Sequence, residues 1–254
     1  MTQPIHRATF RFYAELNDFL PAEQRQRTIG YTFHGKPAVK DAIEALGVPH
    51  TEVEIVLVNM TSVDFSYQLK NGDRVAVYPV FESLDIAPLI KVRDRPLRTT
   101  RFILDVHLGK LARLLRLLGF DAIYSNDYED PEIVRISQEE RRIILTRDVG
   151  LLKRGAVTHG YWLRSTAPVS QAREVVSRFD LQSQVRPFTR CLRCNGLLKP
   201  VDKATILDKI PPHVAEDREA FSKCTSCGQI YWRGTHFERL EAVVDKILDT
   251  QSPS

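Results

Sequence analysis

Long apolar runs are missing from this chain. The most apolar stretch, around Leu108 to Leu118, is cut by Lys110, Arg113 and Arg116, so no segment offers the roughly 20 uninterrupted apolar residues that a membrane-spanning helix needs. The opening, MTQPIHRATFRF, also lacks a charged-then-apolar leader. A cytoplasmic address with no membrane partner is therefore expected. Cysteine is scarce: there are 4 in 254 residues, and none precedes Cys191. A disulfide framework is thus excluded for most of the fold. The four stand as two CxxC pairs, Cys191/Cys194 and Cys224/Cys227, and without a secretion signal that pattern favours metal binding over disulfides.

What is present is the composition of a globular protein, at a length that accommodates two domains of ordinary size. The charge is uneven. Residues 1–96 carry 11 Lys and Arg against 12 Asp and Glu, whereas residues 97–254 carry 25 against 20. The C-terminal part is the better candidate for an anionic partner.

The first segment reads strand, strand, helix, strand, strand. Phe10 and Phe12 alternate with Arg11 and Tyr13, and Ile29, Tyr31 and Phe33 alternate in TIGYTFHG. VKDAIEALG is a short helix stopped by Gly47 and Pro49. VEIVLVN and GDRVAVYPV are β-rich runs, the second introduced by the turn Asn71-Gly72-Asp73. Hairpins flanking one helix make an α+β unit of the β-grasp kind, and over residues 5–85 the order resembles the ubiquitin-like sulfur carriers. Those carriers end in a free Gly-Gly carboxylate. This chain has Phe81-Glu82-Ser83-Leu84-Asp85 there and continues, which removes sulfur carriage and leaves a docking or stabilising role with a protein partner. Residues 86–100, with Lys91, Arg93, Arg95, Arg98 and two prolines, read as a linker.

From Arg101 the pattern is α/β. RFILDV, FDAIYS and RRIILTRD are strands, LGKLARLLRLLG and DPEIVRISQEE are helices, and a further strand (GYWLRS) and helix (APVSQAREVVSRFD) follow. Such alternation implies a mainly parallel sheet with its site beyond the carboxyl ends of the strands. Asp105 ends the first strand, the acidic loop NDYEDPE follows the second, and Asp148 follows the third. Carboxylates brought to one edge repel unless a cation sits among them, and hard oxygen ligands select Mg²⁺ or Mn²⁺. In the middle loop Asp130 precedes Pro131, an N-cap position that fixes its place, and Asp127 and Glu129 are the alternative ligands. Each aspartate also has a structural reading, as a helix cap or as a partner of Arg147. Thr146 is placed to orient a carboxylate.

Lys110, Arg113 and Arg116 recur every third residue, a stripe opposite the leucines of their helix. Either this is a solvated face or, beside the carboxylates, a phosphate-binding one, with Arg147 joining it. The motifs DVHLGKLARLLRLLGFDAIY, DPEI, RIILTRDVGLL, the two CxxC pairs and IYWRGTH together resemble the Mut-seven C-terminal RNase domain, a PIN-like nuclease fold fused to a zinc ribbon, over residues 100–240. The resemblance implies metal-dependent hydrolysis of RNA, single-stranded or structured, with Asp105, Asp130 and Asp148 on the acidic positions. PIN nucleases commonly use four acids, and three are placed here, so the number of metal ions stays open.

In CLRCNG and CTSCGQ each second cysteine precedes Asn195 or Gly228, residues that tolerate positive φ and let backbone N–H groups turn toward a thiolate. Two such knuckles form a tetrahedral Cys₄ zinc site of structural kind. The long spacer between the pairs reads as an inserted loop. Tyr231, Trp232, Arg233 and His236 have two readings: stacking a base and gripping phosphate, or packing the ribbon. His107 and His159 read either as residues that support the metal ligands from behind or as packing residues, rather than as ligands themselves.

The expected architecture is a β-grasp domain (1–85), a linker (86–100), a PIN-like α/β domain (101–186), a zinc ribbon (187–240) and a C-terminal helix and tail (241–254). The expected function is RNA hydrolysis, with the front domain dispensable for chemistry. The rivals are a non-catalytic RNA- or ribosome-binding adaptor and a phosphotransfer protein. The second is opposed by DVHLG, which lacks the second aspartate of the DxD pattern.

Overall fold

The computed structural model describes residues 4–79 and 100–249. The expected linker, Thr100 apart, and the FESLD segment lie outside the described residues. In chain order the front half holds β1 (Ile5–Phe12), β2 (Ile29–His34), α1 (Val39–Ala45), β3 (Val53–Val58), β4 (Thr61–Val63) and β5 (Arg74–Pro79). Then come β6 (Arg101–Leu104), α2 (Gly109–Leu117), β7 (Asp121–Ile123), α3 (Asp130–Glu140), β8 (Ile143–Thr146), α4 (Val149–Leu152), β9 (Gly160–Trp162) and α5 (Pro168–Arg178). The chain closes with β10 (Leu198–Val201), α6 (Pro212–Asp217), β11 (Phe221–Cys224), β12 (Ile230–Trp232) and α7 (Thr235–Leu248). No helix among the described residues is long and apolar enough to cross a membrane.

The chain divides into two compact units, Met1–Arg98 with Asp148–Trp162, and Thr99–Arg147 with Leu163–Ser254. The first contains a five-stranded sheet in the order β2-β1-β5-β3-β4. The expected antiparallel pairs β1–β2 and β3–β5 are present, β5 also lies parallel to β1, and the short edge strand β4, paired with β3, is an addition that the sequence reading did not contain. Period-two alternation drives this layer. Ala8, Phe10 and Phe12 of β1 point inward with Val75 and Val77 of β5, and α1 lays Val39, Ala42 and Ile43 on the same face. Asp73, buried beside the Gly72 turn, accepts from Asn59 Nδ2 at 2.9 Å and from Lys70 N at 2.8 Å, which fixes the entry to β5.

Placement of residues 148–162 in this unit departs from the expectation of a continuous nuclease block at 101–186. The contacts that hold it there join residues far apart in sequence. His50 Nε2 donates to the Val157 carbonyl at 2.7 Å, and Glu52 Oε1 accepts from Trp162 N at 2.8 Å.

In the second unit β7, β6 and β8 form a parallel sheet in that order. Phe102, Ile103 and Leu104 are fully buried and face Ile143, Ile144 and Leu145 in register. Such continuously apolar strands are what a sheet covered on both sides requires. α2 turns Leu111, Ala112 and Leu115 inward and ends at Gly119, whose φ is +95°. A side chain there would come within 2.2 Å of the Arg186 carbonyl, so glycine is needed on both conformational and steric grounds.

The ribbon is an antiparallel sheet, β10-β11-β12. The long spacer between the cysteine pairs builds a small core of its own, in which Ile206, Ile210 and Val214 meet Phe221 and Ile230. The C-terminal helix expected from residue 241 begins at Thr235, directly after the ribbon.

Candidate functional site

Asp105 leaves the carboxyl end of β6, the strand flanked by β7 and β8, and its backbone N–H still donates to Leu145 O at 3.1 Å. Asp105 is only 9% exposed, so its charge has to be compensated by hydrogen bonding or by a cation. Thr146, at the end of β8, supplies one partner: its Oγ1 donates to Asp105 Oδ2 at 2.7 Å. Thr146 orients a carboxylate, as the sequence led us to expect. Nearby, Tyr124 OH donates to Val106 O at 2.7 Å and also meets Asn126 Oδ1. A Cβ at Gly109 would stand 2.8 Å from the Tyr124 ring, so Gly109 admits this ring against the start of α2.

The other acids sit differently. α3 begins at Asp130 itself, with Glu129 as the extended residue before it and Pro131 in the first turn. The expected capping role for Asp130 is therefore displaced by one residue: Glu129 occupies the N-cap position and makes no side-chain cap bond. Asp130 instead carries its negative charge in the first turn, where the helix dipole favours it. Asp127 is exposed, with its N–H donating to Ser125 Oγ at 3.2 Å, and Glu129 is exposed as well. Asp148 is exposed, and its Oδ1 accepts from Gly150 N at 2.7 Å as the cap of α4.

The basic residues divide. Lys110 and Arg113 are exposed on α2, and exposed Arg147 donates to Ser165 O at 3.0 Å. Arg116 does not belong with them. It is 5% exposed, and it donates to Ala122 O at 2.8 Å, Arg193 O at 2.9 Å and Leu192 O at 3.3 Å. A three-residue spacing drifts around a helix whose turn is 3.6 residues, and by the third member the stripe has rotated into the protein. Trp232, half-buried, packs on the ribbon core with its ring 6.5 Å from that of Phe221, which accords with the packing alternative of its two readings. Arg233 is exposed over the Phe237 ring at 5.1 Å. His107 is exposed, and His159 meets Thr158 Oγ1 at 3.0 Å.

The cysteines converge. Their four sulfurs all lie within 4.8 Å of one another, with Cys191–Cys227 at 3.6 Å and Cys194–Cys224 at 3.4 Å. A tetrahedral zinc with Zn–S bonds of about 2.3 Å places its sulfurs about 3.8 Å apart, so the set could bind zinc. Asn195 and Gly228 adopt φ of +70° and +73°, and the N–H groups of Ser226 and Cys227 point at Cys224 Sγ. Burial opposes ionisation of Cys224, yet those N–H groups hold its thiol down at about 6. Burial and the neighbouring sulfurs push Cys194 up to about 12. Four thiolates cannot share this space without a cation. Among the described residues, these cysteines are the group of three or more His, Cys, Asp or Glu side chains gathered closely enough for one ion.

Sequence reasoning missed the polar joint beneath the first knuckle. Asp121 Oδ1 accepts from Arg142 at 2.7 Å and from Asn195 Nδ2 at 2.8 Å, while Asn195 Oδ1 accepts from Ala122 N at 3.1 Å. Asn195 was legible only as a residue tolerant of positive φ, and no sequence spacing announces its reach to β7.

Fold and site together define a ubiquitin-like β-grasp unit joined to a parallel α/β unit that carries a four-cysteine ribbon. The chain belongs to the Mut7-C RNAse domain family, whose model matches residues 100–244. The Mut7-C ubiquitin model matches residues 5–85 in front of it. These matches point to a nuclease-like function with RNA as substrate. No curated protein matches. Among solved structures, the chain is similar to SAMP1 from Haloferax volcanii, with 20% identity and a TM-score of 0.25, over 31% of this chain and 99% of that one.

Proposed function

We propose that this protein is a metal-dependent ribonuclease in which Asp105, Asp130 and Asp148 hold Mg²⁺ or Mn²⁺, while the four cysteines hold a structural Zn²⁺. The observation that carries the reading is buried Asp105, kept in orientation by Thr146 at the strand end of a domain belonging to an RNase family. The donor set suits a hard cation. Mg²⁺ keeps several waters and is commonly bound through one or two carboxylates plus substrate phosphates, so a closed protein cage is not required. When bound, such an ion supplies Lewis-acid polarisation of a phosphoryl oxygen and acidifies a water. The chain's own part is positional. Thr146 keeps Asp105 Oδ2 in place, and exposed Lys110, Arg113, Arg147 and Arg233 attract and orient the phosphate backbone.

A second reading, a non-catalytic RNA- or ribosome-binding adaptor, draws on the observation that Asp148 caps a helix, a role that needs no metal. Cleavage of a labelled RNA with Mg²⁺ or Mn²⁺, compared between parent and Asp105→Asn, separates the two. The nuclease reading expects a loss of two or more orders of magnitude with RNA affinity retained. Equal cleavage by a folded, nuclease-free Asp105→Asn protein would give the adaptor reading the field.

A further inference from the structure

Residues 148–162 fall inside the span matched by the RNase family model, yet they pack in the compact unit of the ubiquitin-like domain. The contacts come from one region of that domain, α1 and the turn His50–Glu52 that follows it, together with Phe19. His50 is 6% exposed, its Nδ1 lies 2.5 Å from Glu44 Oε1, and its Nε2 N–H donates to the carbonyl of buried Val157. Lys153 Nζ donates to the Glu44 backbone carbonyl at 3.1 Å. Glu52, fully buried, accepts from Trp162 N, and the Phe19 ring lies 4.9 Å from the Trp162 indole.

The clamp therefore grips its segment at Lys153, Val157 and Trp162, three places spread over ten residues. That spacing matters physically. A segment held at one point swings, whereas one held at three has its path fixed, and each buried polar atom in the contact would be left unsatisfied if the segment moved away. The held segment opens with Asp148, whose carboxylate is bonded to Gly150 N inside the same stretch.

We propose that Glu44, His50 and Glu52 are positioning residues that clamp residues 148–162 and so fix Asp148 for RNA cleavage, which makes the ubiquitin-like domain a working part of the nuclease. The Asp148 half of this proposal rests on the ribonuclease reading above; the clamp itself does not. It also replaces the sequence-based expectation that the front domain is dispensable for chemistry.

Amide hydrogen exchange and RNA cleavage on the full-length protein test both halves. In His50→Ala, peptides spanning 149–162 should exchange at least tenfold faster, while peptides of the cysteine ribbon stay unchanged. RNA cleavage should fall at least tenfold in kcat with little change in KM. His50→Gln, whose amide N–H can still reach the Val157 carbonyl, should recover most of both. If His50→Ala does not fold, Lys153→Met removes one grip from the opposite side and should raise exchange in the same peptides. Unchanged exchange in a folded variant overturns the clamp. Faster exchange with parent-level cleavage, where Asp148→Asn abolishes cleavage, overturns the positioning role. Parent-level cleavage by Asp148→Asn overturns the Asp148 assignment, and the exchange data then decide the clamp alone.

Discussion

Asn195 joins the first cysteine knuckle to β7. Its side-chain amide donates to Asp121 Oδ1 at 2.8 Å, and its own oxygen accepts from the Ala122 N–H at 3.1 Å. The same residue holds a φ of +70°, the turn that closes the knuckle after Cys194. Replacing it should therefore expose two separable costs. Asn195→Gly keeps the backbone conformation and removes both bonds, leaving a buried N–H unpaired; a loss of about 2–3 kcal/mol in chemical denaturation is expected. Asn195→Ala should lose roughly 1 kcal/mol more, because a Cβ disfavours that backbone region. Equal stability of Ala and Gly variants would mean that the turn stores no conformational preference.

The cysteine geometry makes zinc content a direct measurement. Protein purified without chelator should carry one zinc per chain by elemental analysis. Cys224→Ser should lose it together with much of the ribbon's stability, since metal affinity in such sites is folding free energy. Because Arg116 and Asn195 both tie the knuckle to Ala122, zinc loss should also raise amide exchange in β7, well outside the ribbon. Zinc-free protein with parent stability and unchanged exchange would remove the site.

Asp121 gives the fold a signature in acid. Burial alone would raise its pKa, but hydrogen bonds from Arg142 and Asn195, with the charges of Arg142 and Arg190, hold the carboxyl below its ordinary value of 3.8. A carboxylate depressed in the folded state contributes stability that is complete above its unfolded pKa and is lost as the pH falls through the folded one. The stability gap between the parent and Asp121→Asn should thus be constant from about pH 7 to pH 5, and should shrink below about pH 4. A gap that widens in acid would reverse the sign and refute the assignment.

Much of this was legible beforehand because the signals were local. Apolar runs such as FIL and IIL, separated by helices of period 3.6, announce parallel strands covered on both faces. A CxxC followed by Asn or Gly announces a knuckle, and an aspartate closing an apolar run announces a carboxylate at a strand end, whereas the pairing of Asp105 with Thr146 needed the strand order that only the fold supplies. What escaped depended on contacts distant in sequence. His50 is 107 residues from Val157, and Asn195 is 74 from Asp121, so no window around either residue contains its partner. The basic stripe misled for a different reason. Periodicity locates a face but not its limit, and only packing shows where exposed Arg113 gives way to buried Arg116.

That boundary can be tested with two substitutions one helical turn apart. Arg113 is exposed on α2, and a phosphate contact there contributes to binding through counterion release. Arg113→Ala should leave stability within about 0.5 kcal/mol of the parent, as surface changes usually do. It should weaken RNA binding and reduce the magnitude of the salt slope by about 1. Arg116→Ala should behave in the opposite way. It removes the donor that serves the carbonyls of Ala122, Leu192 and Arg193, and it leaves a cavity between α2, β7 and the first knuckle. A loss of roughly 3–5 kcal/mol is expected from stranded acceptors and lost packing together. At temperatures where the variant stays folded, its salt slope for RNA should equal the parent's. Denaturant titration and binding isotherms at several salt concentrations measure both quantities on the same samples. A folded, stable Arg116→Ala protein with a reduced salt slope would return Arg116 to the RNA-facing surface.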